Sequence, residues 1–309
     1  MDIDRRSFVK GSAGIVGGLA LGGVAGAQDD GVIRIGSDIP YKPFEYRTQD
    51  GTLVGFDVDI AEAIFGGELN REYEFVQTGF DTIIPSLNNG NFRIIMSAMT
   101  INDQRAEQVD FSEPYFIAFQ TVAVLEGGDI QSIEDLEGTT VAVQKGTTGE
   151  AAAQELQQQF DGNLNIDSYD QIPGAFNALL NNQAVAVIND NAVNLQYTED
   201  QEAITLLQGE GQAAEEFESA PPYLTLTVER YGIAFRQDDD EFREQVNEAL
   251  NAVIASGQYE EIYGEYFTGA PPQSILDRAQ SSPGTTVANG TATTENGTSG
   301  NATDTTNGG

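Results

Sequence analysis

One pattern limits what this chain can fold into more than any other. A short apolar run, a helical stretch and another apolar run follow one another, and the whole order occurs twice. In the first copy Gly31 to Ser37 reads as a strand with Asp38 at its carboxyl end. Pro40 and Pro43 force a loop. Val58, Ala61, Ile64 and Phe65 then give a helical stripe that should start at an Asp57 cap and stop at Gly66-Gly67. Glu72 to Val76 is a second strand, and Asp81 to Leu87 is a helix that tolerates Pro85 only near its first turn. Ile94 to Met96 is a third strand. Strand and helix alternating in this way imply a parallel sheet whose ligand contacts gather at the carboxyl ends of the strands.

Phe116 to Leu125 is apolar and long enough to leave that unit and open another. There Thr139 to Val143, Ile166 to Tyr169 and Ala184 to Ile188 read as strands. Helices should follow the turn Lys145 to Glu150 and span Ile172 to Leu180, with Pro173 at the start of the latter. Residues 208–222, rich in Gly, Glu, Ala and Pro, read as a surface insertion. Val228 to Phe235 should return to the first unit as one strand, closed by helices over Asp240 to Ser256 and Gly257 to Phe267. The expectation is an α/β chain of two lobes, each a mostly parallel sheet flanked by helices, with two crossovers. Residues 28–117 and 229–270 form one lobe, and 118–228 the other.

The two ends differ from this body. Arg5-Arg6-Ser7-Phe8-Val9-Lys10 is a twin-arginine motif followed by a Gly/Ala/Leu/Val run and the small residues Ala25-Gly26-Ala27, so residues 1–27 read as an export signal. That run is too rich in glycine for a comfortable membrane span. The segment looks like a lipoprotein signal in which Ala27 stands where a lipid-bearing cysteine would be; the expectation is an extracellular or cell-surface protein without that anchor. Residues 271–309, above all from Asp277 on, turn to Ser, Thr, Asn and Gly without apolar periodicity, which predicts a disordered tail. Asn289, Asn296 and Asn301 each open an Asn-x-Thr sequon there and are the glycosylation candidates.

Charge removes several functions. With 14 basic and 49 acidic residues and a net charge of −35, the chain is a poor partner for nucleic acid. Acid spread evenly rather than in blocks reads as adaptation to high salt and implies a haloarchaeal source. There is no histidine or cysteine, so neither a metal site nor a cofactor is expected. No phosphate-binding loop is present either.

The chemistry concentrates after Ile94-Ile95-Met96. Ser97-Ala98-Met99-Thr100 puts small and hydroxyl side chains at the end of a buried strand, and Arg105 follows five residues after Thr100. A guanidinium can grip a carboxylate with two parallel bonds. Alternatively, Thr100 caps a helix and Arg105 pairs with a neighbouring aspartate.

Five segments then occur in an order that is similar to the polar amino-acid-binding proteins of ABC importers, the glutamine, histidine and lysine-arginine-ornithine receptors. They are Asp38 to Phe44, Gly55-Phe56-Asp57-Val58-Asp59, Asp81 to Leu87, Met99 to Arg105, and Asp110-Phe111-Ser112-Glu113-Pro114-Tyr115. The resemblance implies the two-lobed type II periplasmic binding-protein fold over about residues 31–270. It also implies a polar amino acid as ligand and a membrane permease with a separate ATPase as partner, the receptor itself acting as a monomer. Carried over by residue, Arg105 holds the ligand carboxylate with the backbone N–H groups of Thr147 and Thr148. Asp190, Thr100 and the Ala98 carbonyl take the ammonium. Tyr41 and Phe56 sandwich the side chain, Asp38 accepts from its far end, and Gln144 and Asn189 help select it. Other readings of the same residues stay open: Tyr41 and Phe56 as core aromatics, Asp190 and Thr147 as helix caps, Asp57 and Asp59 as a cap and a solvated face.

Arg93 and Val185 stand where such receptors carry aspartate, and Ala98 where they carry glycine or serine. With Asp38 the only obvious charge for the side chain, an amide or cationic amino acid is favoured over an acidic one. Two other functions compete. One is a secreted dehydratase of the cyclohexadienyl type, with Asp38 or Glu45 as acid or base. The other is a ligand-sensing subunit of a signalling complex.

Overall fold

The computed structural model describes residues 31–217 and 220–278. The expected export signal and the three sequons lie outside them. Among the described residues no helix is long and apolar enough to cross a membrane.

The chain opens with β1 (Ile33–Ser37), a small hairpin of β2 (Tyr46–Arg47) and β3 (Leu53–Val54), and α1 (Phe56–Ala61), which continues as a wider π-helical turn over Glu62–Glu68. Gly66 and Gly67 do not stop it. Neither takes a positive φ; the Leu69 N–H donates to the Ile64 carbonyl, and Asn70 at φ 46° turns the chain out. Then come β4 (Tyr73–Gln77), α2 (Phe80–Asn88), β5 (Ile94–Ile95), α3 (Asp103–Ala106) and β6 (Asp110–Phe111). Pro85 lies past the first turn of α2, not near its start as expected. It lacks the N–H that would bond back along the helix, and α2 ends within a turn of it.

The second half starts with β7 (Phe116–Leu125), β8 (Thr140–Gln144), α4 (Thr148–Gln159), β9 (Asn165–Tyr169) and α5 (Ile172–Leu180). It continues through β10 (Ala186–Asp190), α6 (Asn191–Asp200), β11 (Ile204–Leu206), α7 (Gln212–Glu216) and β12 (Thr227–Tyr231). The chain finishes with β13 (Ala234–Phe235), α8 (Asp240–Ala255), α9 (Gln258–Tyr266) and α10 (Gln273–Leu276).

Two sheets result. The first has the order β4-β1-β5-β13-β6 and the second β11-β7-β10-β8-β9, with β12 also beside β7. The strands of the β-α-β units pair in parallel, β1 with β4 and β5, β8 with β9 and β10. β13 and β7 pair only antiparallel, so both sheets are mixed. The stretch 228–235 is two strands rather than one. β12 stays in the second sheet against β7, the chain crosses at Gly232 and Ile233, and β13 joins the first sheet. A Cβ at Gly232 would sit 2.8 Å from the Ile101 side chain, which is why the crossing is narrow.

Amphipathic periodicity places the helices. In α8 the buried Phe242, Val246, Ala249, Leu250 and Val253 form one stripe, each large side chain worth about 1.5–3 kcal/mol in burial. Phe242 meets Phe65 and Phe235. The supposed insertion packs: Ala213 is buried, and Phe217 meets the Phe119 ring edge-on. Residues 271–278 belong to the folded body, contrary to the expected start of the tail. Ile275 is buried, and Arg278 Nε lies 3.1 Å from the Glu113 carboxylate. An aromatic cluster of Phe44, Phe56, Tyr115, Phe116, Tyr231 and Phe267 surrounds the crossovers, with ring centroids about 5–6 Å apart.

Candidate functional site

The carboxyl ends of β1 and β5 face those of β8 and β10 across a narrow cavity with only about 10 Å³ of free volume. Asp38, Tyr41, Phe80, Ser97, Ala98, Thr100 and Arg105 line it from the first half, and Gln144, Thr147, Thr148 and Asp190 from the second. Nine of the expected residues therefore meet in one cavity.

The two sides are drawn together. The Tyr41 hydroxyl lies 2.5 Å from Asp190 Oδ2 and 2.9 Å from Asn189 Oδ1. Gln144 Nε2 donates to Asp38 Oδ2, and Gln171 Nε2 donates to the Ile39 carbonyl at 3.0 Å. Lys42–Asp200 at 3.1 Å and Lys145–Asp81 at 2.8 Å tie the rim. These are the two lysines of the described residues, and both bridge the halves. Gly146, at φ 78°, passes so close to α2 that a Cβ there would lie 2.9 Å from Asp81 Cα.

Arg105 is 8 % exposed and forms no ion pair within 4 Å among the described residues. Nη1 donates to the Thr100 carbonyl at 2.8 Å and Nη2 to the Gly146 carbonyl at 3.3 Å, while the Phe80 ring lies 5.2 Å away. Burial lowers its pKa below the usual arginine value. The alternative of a helix-capping Thr100 and a salt-bridged Arg105 is not what forms. Asn102 Oδ1 caps α3 by accepting from the Arg105 N–H at 2.9 Å. A buried guanidinium with spare donors and no carboxylate within 4 Å is chemically able to take an anion.

On the cationic side Asp190 is 5 % exposed and its pKa is raised to about 7, first by burial and next by the charge of Glu229. It starts α6 without capping it through its side chain; Gln120 Nε2 and the Tyr41 hydroxyl donate to it instead. Asp38 is raised to about 6 by burial, and its Oδ1 is buried without a partner. Thr147 does cap α4, accepting from the Glu150 N–H at 3.2 Å, and so sets the N-terminus that faces the cavity.

Phe56 is not at the cleft. Its ring is fully buried among Phe44, Tyr115, Tyr259 and Phe267, so the expected sandwich partner of Tyr41 is absent and Phe80 lines the cavity instead. Asn189 stands behind the cavity wall, held at Tyr41, with its own Nδ2 unpartnered. Asp57 is no cap either. Gly55 holds that position, and the buried Asp57 carboxylate accepts from the Ala98 N–H and the Tyr115 hydroxyl, each at 2.9 Å. Asp59 is tied to the Tyr266 hydroxyl at 2.6 Å rather than free in solvent. Ser97 accepts from the Asp38 N–H and donates to Glu45 Oε1. Glu229 and Gln120 went unread in the sequence although both are buried beside the cavity. For Gln120 the signal is a lone polar residue on the inward face of the apolar β7, two before Val122; Glu229 sits in the mixed strand Thr-Val-Glu-Arg-Tyr, which gives none.

The model of the bacterial extracellular solute-binding proteins, family 3, matches residues 33–269. The chain belongs to that family. A probable histidine-binding protein of Neisseria gonorrhoeae is 34 % identical over 253 residues, covering 81 % of this chain and 89 % of its own. A crystal structure of an arginine-, lysine-, histidine-binding protein from Geobacillus stearothermophilus superposes with a TM-score of 0.68 at 33 % identity, covering 81 % of this chain and all of the other. An ancestral amino-acid-binding protein, described as a precursor of cyclohexadienyl dehydratase, gives a TM-score of 0.68 at 34 % identity over 78 % of this chain and 97 % of its own. These solved neighbours share the two-lobed α/β architecture.

Proposed function

We propose that this protein is the extracellular receptor of an ABC importer for a cationic L-amino acid of arginine's class. One observation carries the choice of ligand: the cavity is lined by one buried guanidinium with no carboxylate within 4 Å and by two buried carboxyls, Asp38 and Asp190, while a third, Glu229, is set back from the lining and held by Thr100 and Thr148. That set complements one anion and two cations, which an α-carboxylate, an α-ammonium and a cationic side chain supply together. A neutral side chain would leave one buried carboxylate unmatched, and an acidic one would face Asp38 with like charge. The unpartnered Asp38 Oδ1 is the acceptor for the far end of the ligand, and Tyr41 and Phe80 flank its stem.

Arg105 with the α4 N-terminus holds the carboxylate, and Asp190 with Thr100 holds the ammonium. Because these groups come from both halves, closure completes the cage and the ligand favours the closed state. Relatives named as ABC transporter arginine- and glutamine-binding proteins support handover to a permease; a separate ATPase, a monomeric receptor and export through the twin-arginine motif complete the proposal. Asp38 and Asp190 have the proton affinity of a general acid, yet each is already engaged by a donor from the other half or from its own sheet, so we assign them to binding and the protein to no enzymatic step.

A thermal-shift panel in molar KCl tests this reading with arginine, lysine, histidine, glutamine, glutamate and prephenate. A ligand at about a thousand times its Kd adds roughly 4 kcal/mol of stability. Stabilisation by one or more of the three basic amino acids is expected; a response to glutamate or to prephenate alone would contradict it.

A further inference from the structure

Behind Thr100 and Thr148 lies a carboxylate that the binding scheme leaves unused. Glu229, on β12 and 6 % exposed, accepts from the Thr100 hydroxyl, from the Thr148 hydroxyl at 2.9 Å and from Thr227 at 3.0 Å. Thr100 comes from the first half and Thr148 from the second, while Glu229 sits on the strand that runs into the crossover. A hydroxyl has one proton and two lone pairs, and a carboxylate can only accept. The protons of both hydroxyls are therefore committed to Glu229. The Thr148 oxygen takes one further donor, Gln120 Nε2 at 3.1 Å. The two threonine oxygens, 3.5 Å apart, have no proton left for each other.

We infer that Glu229 is a positioning residue that fixes the hydrogen-bond polarity of Thr100, so that this hydroxyl meets the ligand only as an acceptor and selects the ammonium end of the amino acid. The inference rests on the amino-acid reading above and adds what decides the ligand's orientation. A threonine free to rotate could donate to a carboxylate as readily as accept from an ammonium. With its proton held by Glu229, Thr100 turns lone pairs toward the cavity beside Asp190, and a carboxylate placed there would meet acceptors alone. The zwitterion then fits in one direction, with its carboxylate at Arg105.

The test is calorimetric titration of the full chain with arginine and with 5-guanidinopentanoate, the arginine analogue that lacks the α-ammonium. In Glu229→Gln an amide N–H can point at Thr100 and turn its proton toward the ligand. Arginine affinity should fall by about tenfold to a hundredfold, while affinity for the analogue stays within about twofold of the unmodified chain's. Thr100→Val removes the lone pairs without changing any charge. It should reproduce the selective loss, which separates hydroxyl polarity from the electrostatic field of Glu229 and stands if Glu229→Gln does not fold. An equal loss for both compounds, or unchanged arginine affinity in Thr100→Val, would overturn the inference. An unmodified chain that binds neither compound would refute the amino-acid reading, and this inference with it.

Discussion

Two groups of buried carboxyls, Glu45 with Asp57 and Asp38 with Asp190, differ in what holds them. Beneath the cleft, Asp57 is satisfied by the Ala98 N–H and the Tyr115 hydroxyl, while Glu45 is held by Ser97 through Oε1 only, its Oε2 being buried without a partner; burial raises the pKa of both, Asp57 to about 7 and Glu45 well above the usual carboxyl range. At the cleft itself Asp190 and Asp38 are also raised, yet they are held by side chains reaching across the closed cavity, and one Asp38 oxygen has no partner. A satisfied buried network fixes the backbone, and here it fixes Ala98 in the left-handed region at φ 46°. An unsatisfied one is costly until something arrives. The satisfied Asp57 supports the floor of the cavity, and the role proposed for Asp38 and Asp190 is to meet the ligand.

The sharpest way to break that division is to remove one member of each. Arg105→Ala should lower affinity for arginine at least a hundredfold, the scale of losing about 3 kcal/mol of charge-assisted bonding, with the melting temperature of the empty protein little changed. Asp57→Ala should do the opposite. It leaves the Ala98 N–H and the Tyr115 hydroxyl buried without an acceptor and should cost about 2–4 kcal/mol in denaturant unfolding. Equal loss of stability in both variants would erase the distinction.

A smaller effect comes from pH. Asp38, Asp57 and Asp190 have folded pKa values of about 6, 7 and 7 against an ordinary 3.8, all raised chiefly by burial. Carboxyls that hold their protons more tightly when folded stabilise the protein fully only below the ordinary 3.8, and this contribution is lost as pH rises from there through 6 to 7, above which it is gone. Melting temperature of the empty protein in molar KCl should therefore fall between pH 5 and pH 8, and Asp190→Asn should flatten the slope. A rise over that range would contradict the assignment. A cationic ligand should in turn lower the pKa of Asp38 and Asp190, so binding near pH 6.5 should release protons, whereas Asp57 should be indifferent.

The smallest test concerns the floor. Ala98→Gly relieves the left-handed φ of a residue with a Cβ and should change stability by no more than about 1 kcal/mol, measured by denaturant midpoint.

Local pattern carried much of this architecture. β7 and α5 run where apolar length and Pro173 predict them, and the small and hydroxyl residues after Ile94-Ile95-Met96 do reach the cavity. What stayed hidden depends on distant partners. Phe56 follows a glycine in a loop context much like that of Tyr41; aromatic residues remote in sequence, Tyr115 and Phe116 and the α9 tyrosines some 200 positions later, draw it into the core. Arg93 made no sense locally, and its bidentate pair with Asp239, with the guanidinium 3.7 Å from the Phe242 ring centroid, explains it. Glu229 looked like an ordinary strand residue because its partners Thr100 and Thr148 belong to other segments. Nothing in the structure explains why Val185 replaces an acid.

The central claim is that the cavity is matched to a ligand with one negative and two positive groups. Calorimetric titration with arginine and with citrulline, which differ chiefly in that the guanidinium is replaced by a neutral urea, tests it directly. Arginine should bind at least about tenfold more tightly, with the preference lost in Asp38→Asn. Equal or tighter binding of citrulline by the unmodified protein would show that Asp38 does not read a cation, and the account of the ligand would fail.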